Sequence, residues 1–369
     1  MTGSSAAPAD ATECSSPSTW LLTGHRAGDN NQVLALAEQL GWPFEVKRLV
    51  HRRSKLLTRL ISRQLFGITL AGIERRRCSE LAPPWPDLVI SAGRDSEPVA
   101  RWIRRQSGDT TRLVHIGRPW APLSAFDLVI TTPQYFLPPR PNVLTNALPL
   151  HRITPARLAE AGAHWRSRLA HLPRPRTAVL VGGDSGSFVL TRERARRLGR
   201  LVQARVVRSG GSVLVSSSAR TPPAAFEALC VELSVPRHLY RWRPGDTDNP
   251  YLAYLALADE LVVTGESASM LTEASVTRKP LWVFDIGPGA GGGHRPARWD
   301  LRRLRNRLAN RFSPPRMQRD IGDVQWRLVA SGRARWLGEP PAGRVVRAAR
   351  CDTREDARRT VRRVRALFE

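Results

Sequence analysis

Lysine is almost missing from this chain. Of its 58 basic residues only Lys47, Lys55 and Lys279 are lysines, and the rest are arginines. None of the three closes a glycine-rich P-loop, so that phosphate-binding device is excluded. Cysteine is scarce too. Cys14, Cys78, Cys230 and Cys351 stand far apart with no CxxC or Cys/His pairing, which argues against a zinc site and a disulfide framework. No apolar run approaches the roughly 20 residues of a membrane-spanning helix. Residues 1–19 lack a basic start and an apolar core, so residues 1–18 read as a disordered tail and not as a secretory signal. Neither HExxH nor a nucleophile elbow is present. These absences predict a cytoplasmic protein, with peripheral attachment to the inner membrane as its one membrane option.

Acids are outnumbered, and the formal net charge is +26. Such a field favours polyanions: nucleic acid, anionic lipid headgroups or nucleotide phosphates. The preference for arginine, in a chain also rich in alanine and proline, is equally what genome composition produces. Nucleic-acid readers interleave aromatics with basic residues or present a recognition helix, whereas the 11 tryptophans here fall at core or loop positions. Nucleic acid is therefore not the expected partner. At 369 residues and 41% hydrophobic content the chain is long enough for two globular domains.

Strand and helix patterns alternate throughout. Trp20–Thr23 reads as a strand, then comes the loop Gly24–Asn31 and a helix closed by Gly41. The loop is not GxGxxG, which weakens a dinucleotide reading. Further strands are expected at 45–50, 87–90, 113–116 and 128–131, with residues 142–144 extended and a helix over 155–171. The basic stretch 51–77, interleaved with Leu56, Leu57, Leu60, Ile61, Leu65 and Phe66, suits an amphipathic helix. It would either pack on the sheet or lie on a membrane surface. After the linker Pro173–Arg176 the pattern restarts, with a strand at 178–181 and a second glycine-rich loop over Gly182–Ser187. The expected domains are residues 19–172 and 177–295, with a basic helical region, 296–369, packing back on them.

The central stretch is Ala258–Asp285. Leu261–Val263 suits a buried parallel strand, Thr264–Ser269 a loop of small residues, and Met270, Leu271, Ala274 and Val276 a helix ended by Lys279-Pro280. A strand at Leu281–Phe284 completes a βαβ unit. Its loop sets free backbone N–H groups and hydroxyls at the positive end of a helix, a ready site for phosphate or diphosphate. Glu273, one turn on, is placed to accept hydrogen bonds from sugar hydroxyls. The plainer alternative is that the small residues only allow helix–sheet packing and that Glu273 is a solvated acid. Two successive α/β halves predict an α/β fold of two Rossmann-like doubly wound domains facing across a cleft.

The run Val181–Gly186, with Asn249–Asp259 and Gly265–Ala274, resembles the donor-nucleotide domain of the lipid-II-forming N-acetylglucosaminyltransferases, which are GT-B enzymes. Nearly the whole chain resembles the bacterial relatives of the plant mitochondrial-fission "elongated mitochondria" family, a GT-B-like family. The motifs that carry this likeness are Leu22–Gln32, Pro86–Ile90 with Ala92-Gly93-Arg94, Phe126–Val129, Val263–Ser267 and Ser269–Ala274. The likeness runs over residues 18–290. In that family an acidic residue stands at the place of Gly24, a histidine at that of Asp29 and Asp-Pro-Arg at that of Gly117-Arg118-Pro119. The resemblance implies a GT-B-type glycosyltransferase that uses a nucleotide-diphosphate sugar and acts on a lipid-linked or cell-envelope acceptor. Its alternatives are a non-catalytic membrane-associated scaffold and a nucleotide-sugar epimerase of the same fold.

On that architecture the nucleotide would be held by Gly183, Ser185, Gly265, Glu266, Ser267 and Ser269, with Glu273 on the ribose. Sugar transfer needs a base for the acceptor hydroxyl and positive support for the departing diphosphate. His25 or Asp29, in the first loop, is the candidate base. Arg94, at the end of a strand, would pair either with phosphate or an acidic acceptor, or with Asp95 or Asp29. Asp246-Thr247-Asp248 matches the DxD metal motif, but so short a pattern recurs by chance and here precedes an Asn-Pro turn. No metal and no cofactor beyond the nucleotide-sugar donor is expected.

Overall fold

The protein is described from a computed structural model, over residues 16–52, 68–185, 188–287, 319–320, 322–338 and 351–369. Short runs such as Thr-Trp-Leu-Leu-Thr and Leu-Val-Ile-Ser-Ala are buried along their whole length. Strands covered on both faces by helices read in this unbroken way. The first half gives β1 (Thr19–Thr23), α1 (Ala27–Leu40), β2 (Phe44–Arg48), β3 (Leu88–Ala92), α2 (Gly93–Gln106), β4 (Arg112–Ile116), β5 (Leu128–Thr131) and β6 (Val143–Thr145). They form one parallel sheet in the order β2-β1-β3-β4-β5-β6.

The second half begins with α3 (Pro155–Arg166) and β7 (Arg176–Leu180). It continues through α4 (Arg192–Ser209), β8 (Ser212–Ser216), α5 (Pro223–Val231), β9 (Arg237–Tyr240) and α6 (Tyr251–Leu257). Then come β10 (Glu260–Thr264), α7 (Ala268–Val276), β11 (Leu281–Phe284), α8 (Asp323–Ala330), β12 (Arg335–Trp336) and α9 (Thr353–Arg365). The second sheet is also parallel, in the order β12-β11-β10-β7-β8-β9. Counted within its half this is the 3-2-1-4-5-6 order of dinucleotide-binding sheets, while the first sheet follows the flavodoxin-like order. The fold is thus α/β, with two Rossmann-like doubly wound units, as expected. Each sheet has an apolar core on either face.

Three placements differ from the sequence reading. Helix α3 packs on the second sheet, where Trp165, Leu169 and Leu172 join the core with Tyr254 and Leu261. The first unit therefore gives up residues 155–172, because their apolar face matches α6. Strand β2 ends at Arg48, before the expected Val50, with one further ladder bond from Leu49 N–H to Thr23 O at 2.8 Å. Helix α8 and strand β12 extend the second sheet, whereas α9 crosses back to the first. There Val364 joins Leu36 and Leu40, and Asp356 accepts from Ala147 N at 2.7 Å. The bulk of the expected basic helix over 51–77, residues 53–67, lies outside the described residues, as do most of the expected tail (1–15) and residues 288–318.

Candidate functional site

In a doubly wound sheet the ligand crevice lies beyond the carboxyl ends of the strands, where the strand order reverses. In the first sheet that point falls between β1 and β3, and in the second between β7 and β10. The two points face each other closely: a Cβ added to Gly28 would lie 3.1 Å from Ser269 Oγ. Between them opens a cleft of about 490 Å³.

The first wall starts at the loop Gly24–Arg26. Asn30 ties this loop to the first turn of α1, accepting from Gly24 N and donating to Gly24 O, both at 2.8 Å. Asp29 then lies against the start of α2. Gly93 has φ +69°, which favours glycine, and a Cβ there would displace the Asp29 carboxylate from its place against α2. Arg26 spans Asp29 at 4.0 Å and Asp95 at 3.6 Å, and Arg94 Nε lies 3.5 Å from Asp95 Oδ1. Burial raises the Asp29 pKa, with Arg26 and Arg319 pulling the other way. A carboxylate shifted upward in a cleft is suited to proton abstraction. His25 is placed otherwise. Its exposed ring stands edge-on to His51 at 5.9 Å, outside the cleft lining, and burial and then Arg26 lower its pKa. Of the two candidate bases, the fold brings Asp29 into the cleft.

The second wall is built from two loops locked to each other. Glu266, 1% exposed, accepts from Gly183 N at 2.5 Å and from Thr264 Oγ1 at 3.3 Å. A Cβ on Gly182 would collide with Glu266 Oε1, and one on Gly265 with Gln325 Oε1. Glu266 therefore braces the glycine loop from behind and does not line the cleft. Ser185 exchanges backbone hydrogen bonds with Phe188, Ser267 is buried, and Ser269 alone of the expected nucleotide residues lines the cleft. Glu273 is buried with its Oε2 accepting from Tyr251 OH at 2.5 Å, and burial raises its pKa. Arg94 lines the cleft with Asp29 and Ser269, whereas Gly183, Ser185, Gly265 and Glu273 stand behind or beside it.

Four features escaped the sequence reading. Ser218 donates to Gly182 O at 2.5 Å and the exposed Arg220 to Asp184 O at 3.1 Å, so the loop after β8 cross-braces the glycine loop and presents a guanidinium beside it. Arg118, after β4, Tyr135, after β5, and Arg319, from the segment returning to the first unit, all line the cleft. Arg118 follows a strand end, a signal available in the sequence, whereas Arg319 carries none. The DxD carboxylates are already engaged: Asp248 pairs with Arg168 at 2.8 Å and Asp246 accepts from Tyr240 OH at 2.9 Å.

Comparison with known proteins adds the following. The mitochondrial fission protein ELM1 of Arabidopsis thaliana is 29% identical over 248 residues, which cover 61% of this chain and 56% of that protein. The chain thus spans little more than half the length of that relative. An uncharacterized protein of Rickettsia prowazekii (strain Madrid E) is 23% identical over 297 residues, covering 72% of this chain and 82% of its own. Among solved structures, the UDP-GlcNAc 2-epimerase of Methanocaldococcus jannaschii matches with TM-score 0.44 at 10% identity, covering 72% of this chain and 83% of that one. The ADP-heptose LPS heptosyltransferase II of E. coli matches with TM-score 0.41 at 11% identity, covering 72% and 84%. Both are likenesses of outline, and the two sheets define the fold by themselves. The family model described as Mitochondrial fission ELM1 matches residues 27–316, most of the 369 in the chain, and the protein belongs to that family.

Proposed function

We propose that the protein is a glycosyltransferase of GT-B type, binding a nucleotide-diphosphate sugar against the second sheet and an acceptor against the first. The observation that carries this reading is the meeting of two switch points, with Gly28 against Ser269 and Asp29 and Arg94 in the cleft between them. The N-terminus of α7, with the Ser269 hydroxyl, supplies the diphosphate site, while Gly183 and Gly265, whose N–H groups donate to Glu266 and to Phe284 O, let the loops behind it close on each other. Glu273, held by Tyr251, takes the ribose. Asp29 draws the proton from the acceptor hydroxyl, and Arg26 and Arg94 support the leaving diphosphate without a metal.

Calorimetric titration with UDP and UDP-sugars, followed by an assay of UDP release, tests this. Asp29→Asn is expected to keep donor affinity and lose turnover. Glu273→Gln keeps an acceptor for Tyr251 OH and is expected to weaken UDP by about 1–3 kcal/mol, the worth of charge-assisted hydrogen bonds. Absence of UDP binding would remove the reading. Tight UDP binding with no turnover on any lipid-linked acceptor would favour the second reading, a non-catalytic membrane-associated scaffold; the Arabidopsis relative is named for mitochondrial fission and not for a transfer reaction.

A further inference from the structure

The amino ends of β11 and β12 lie at the far end of the second sheet from the cleft. A recess of about 490 Å³ opens there, and it shares no described lining residue with the cleft. Pro280, Leu281, Trp282 and Ala334 supply its apolar part. Its cations are Arg278, Lys279, Arg333 and Arg335, and no described lining residue is an acid. Lys279 is engaged elsewhere, on the carbonyls of Leu255, Ala256 and Ala258. Arg278, Arg333 and Arg335 are exposed, and none of them pairs with a carboxylate among the described residues. Their neighbours are neutral. Arg335 stands beside Trp282 in the parallel register, 6.0 Å from the indole centroid, and Arg333 acts on the thiol of Cys351. Asp259 and Glu260 line a neighbouring recess with Pro280 and are already paired with Arg174 and Arg205.

Helix dipoles account for only part of this charge. Helices α7 and α8 end on this side of the sheet, at Val276 and Ala330. Each carboxyl end carries roughly half a negative charge, so the two offset about one guanidinium and leave about two. Arg278 carries a second sign. It follows the last turn of α7 at φ +60°, a conformation that glycine adopts freely and that a Cβ disfavours. What holds an arginine there is the reach of its side chain. The backbone that presents these groups is fixed. Leu328 O accepts from Arg333 N at 3.0 Å and from Ala334 N at 3.1 Å, while the Lys279 ammonium anchors the turn opposite. Guanidinium forks match phosphoryl oxygens, and about two excess charges match a phosphate monoester or a diphosphate.

We infer that Arg278, Arg333 and Arg335 form a phosphoryl-binding site at the amino end of the second sheet. It is separate from the cleft, and it stands whether or not the transferase reading does.

Calorimetry on the full chain with pyrophosphate as probe tests the site. Arg278→Gln, Arg333→Gln and Arg335→Gln should each weaken binding by about tenfold, the worth of one charge-assisted contact. The three Arg→Lys variants keep the charge and should lose less. Arg278→Gly removes the guanidinium and relieves the backbone. It should weaken pyrophosphate equally with the unfolding midpoint held or raised, which separates loss of the anion contact from loss of fold. No pyrophosphate binding, or binding unchanged in the glutamine and glycine variants, would overturn the inference. Binding that falls only with Arg26→Gln would place the anion in the cleft and overturn it as well. Vesicles containing phosphatidic acid present the same group on a surface. Flotation that falls in the glutamine variants would make a lipid headgroup the source, and unchanged flotation a soluble phosphate; both uphold the site.

Discussion

Glu266 carries a carboxylate into the interior where the two glycine loops of the second sheet meet. Its Oε1 serves Gly183 N–H, and its Oε2 has no hydrogen-bond partner among the described residues. Burial raises its pKa, against the pull of the Gly183 N–H and Arg220. The folded protein therefore holds this proton more tightly than the unfolded chain does. The resulting stabilisation is complete below the unfolded pKa, near the ordinary 4.5, and is lost as pH rises through the folded value. Glu266→Gln keeps an acceptor for Gly183 and removes the buried charge, so it should stabilise the protein at pH 8 by about 1 kcal/mol and less at pH 4. Denaturant unfolding at the two pH values checks this, and an equal effect at both would sink it. The sequence marked Glu266 as a member of a candidate phosphate-binding loop, but its neighbours could not say which way the side chain turns. That direction is set by Gly182, some eighty positions earlier, whose missing Cβ leaves room for the carboxylate.

Among the elements, helix α6 shows what a rare residue type is kept for. Lys279 follows α7, yet its ammonium donates to the carbonyls of Leu255, Ala256 and Ala258 at 2.6–2.7 Å, closing the carboxyl end of α6. Three carbonyls converging on one point suit three N–H bonds on one nitrogen, and the positive charge suits the negative end of the helix. A planar guanidinium does not fit that point, which accounts for a lysine here in a chain whose basic residues are nearly all arginine. Burial lowers the Lys279 pKa without removing the geometry. Lys279→Met is expected to cost about 1–3 kcal/mol through the unmet carbonyls, and Lys279→Arg to recover little of it. Thermal unfolding of the two variants decides. Because α6 begins with Tyr251, which holds Glu273, nucleotide affinity should fall in both variants as well. The lysine reads in sequence only as a stop signal beside Pro280, since a bond to the end of another helix leaves no local pattern.

For the whole molecule, the two sheets and their switch points could be read from the alternation of apolar runs with small-residue loops, a local signal. The way the chain returns could not. Arg319 reaches the first wall through Gln134, and α9 closes on α1 with Phe368 edge-on to Trp42 at 5.4 Å, contacts that span the length of the chain. A further property belongs to this scale, the net charge of +26. Among the described residues no helix is long and apolar enough to cross a membrane. Docking on an anionic bilayer is therefore proposed as electrostatic, with each arginine near the surface contributing about 1 kcal/mol. The basic stretch 51–77 is the proposed contact, although residues 53–67 lie outside the described part. Flotation with phosphatidylserine-containing vesicles should carry the protein upward at low salt and release it as screening shortens the range of the field. Replacing the arginines of that stretch by glutamine should abolish flotation while leaving UDP affinity intact. Equal recovery with neutral and anionic vesicles would separate the charge from any membrane role.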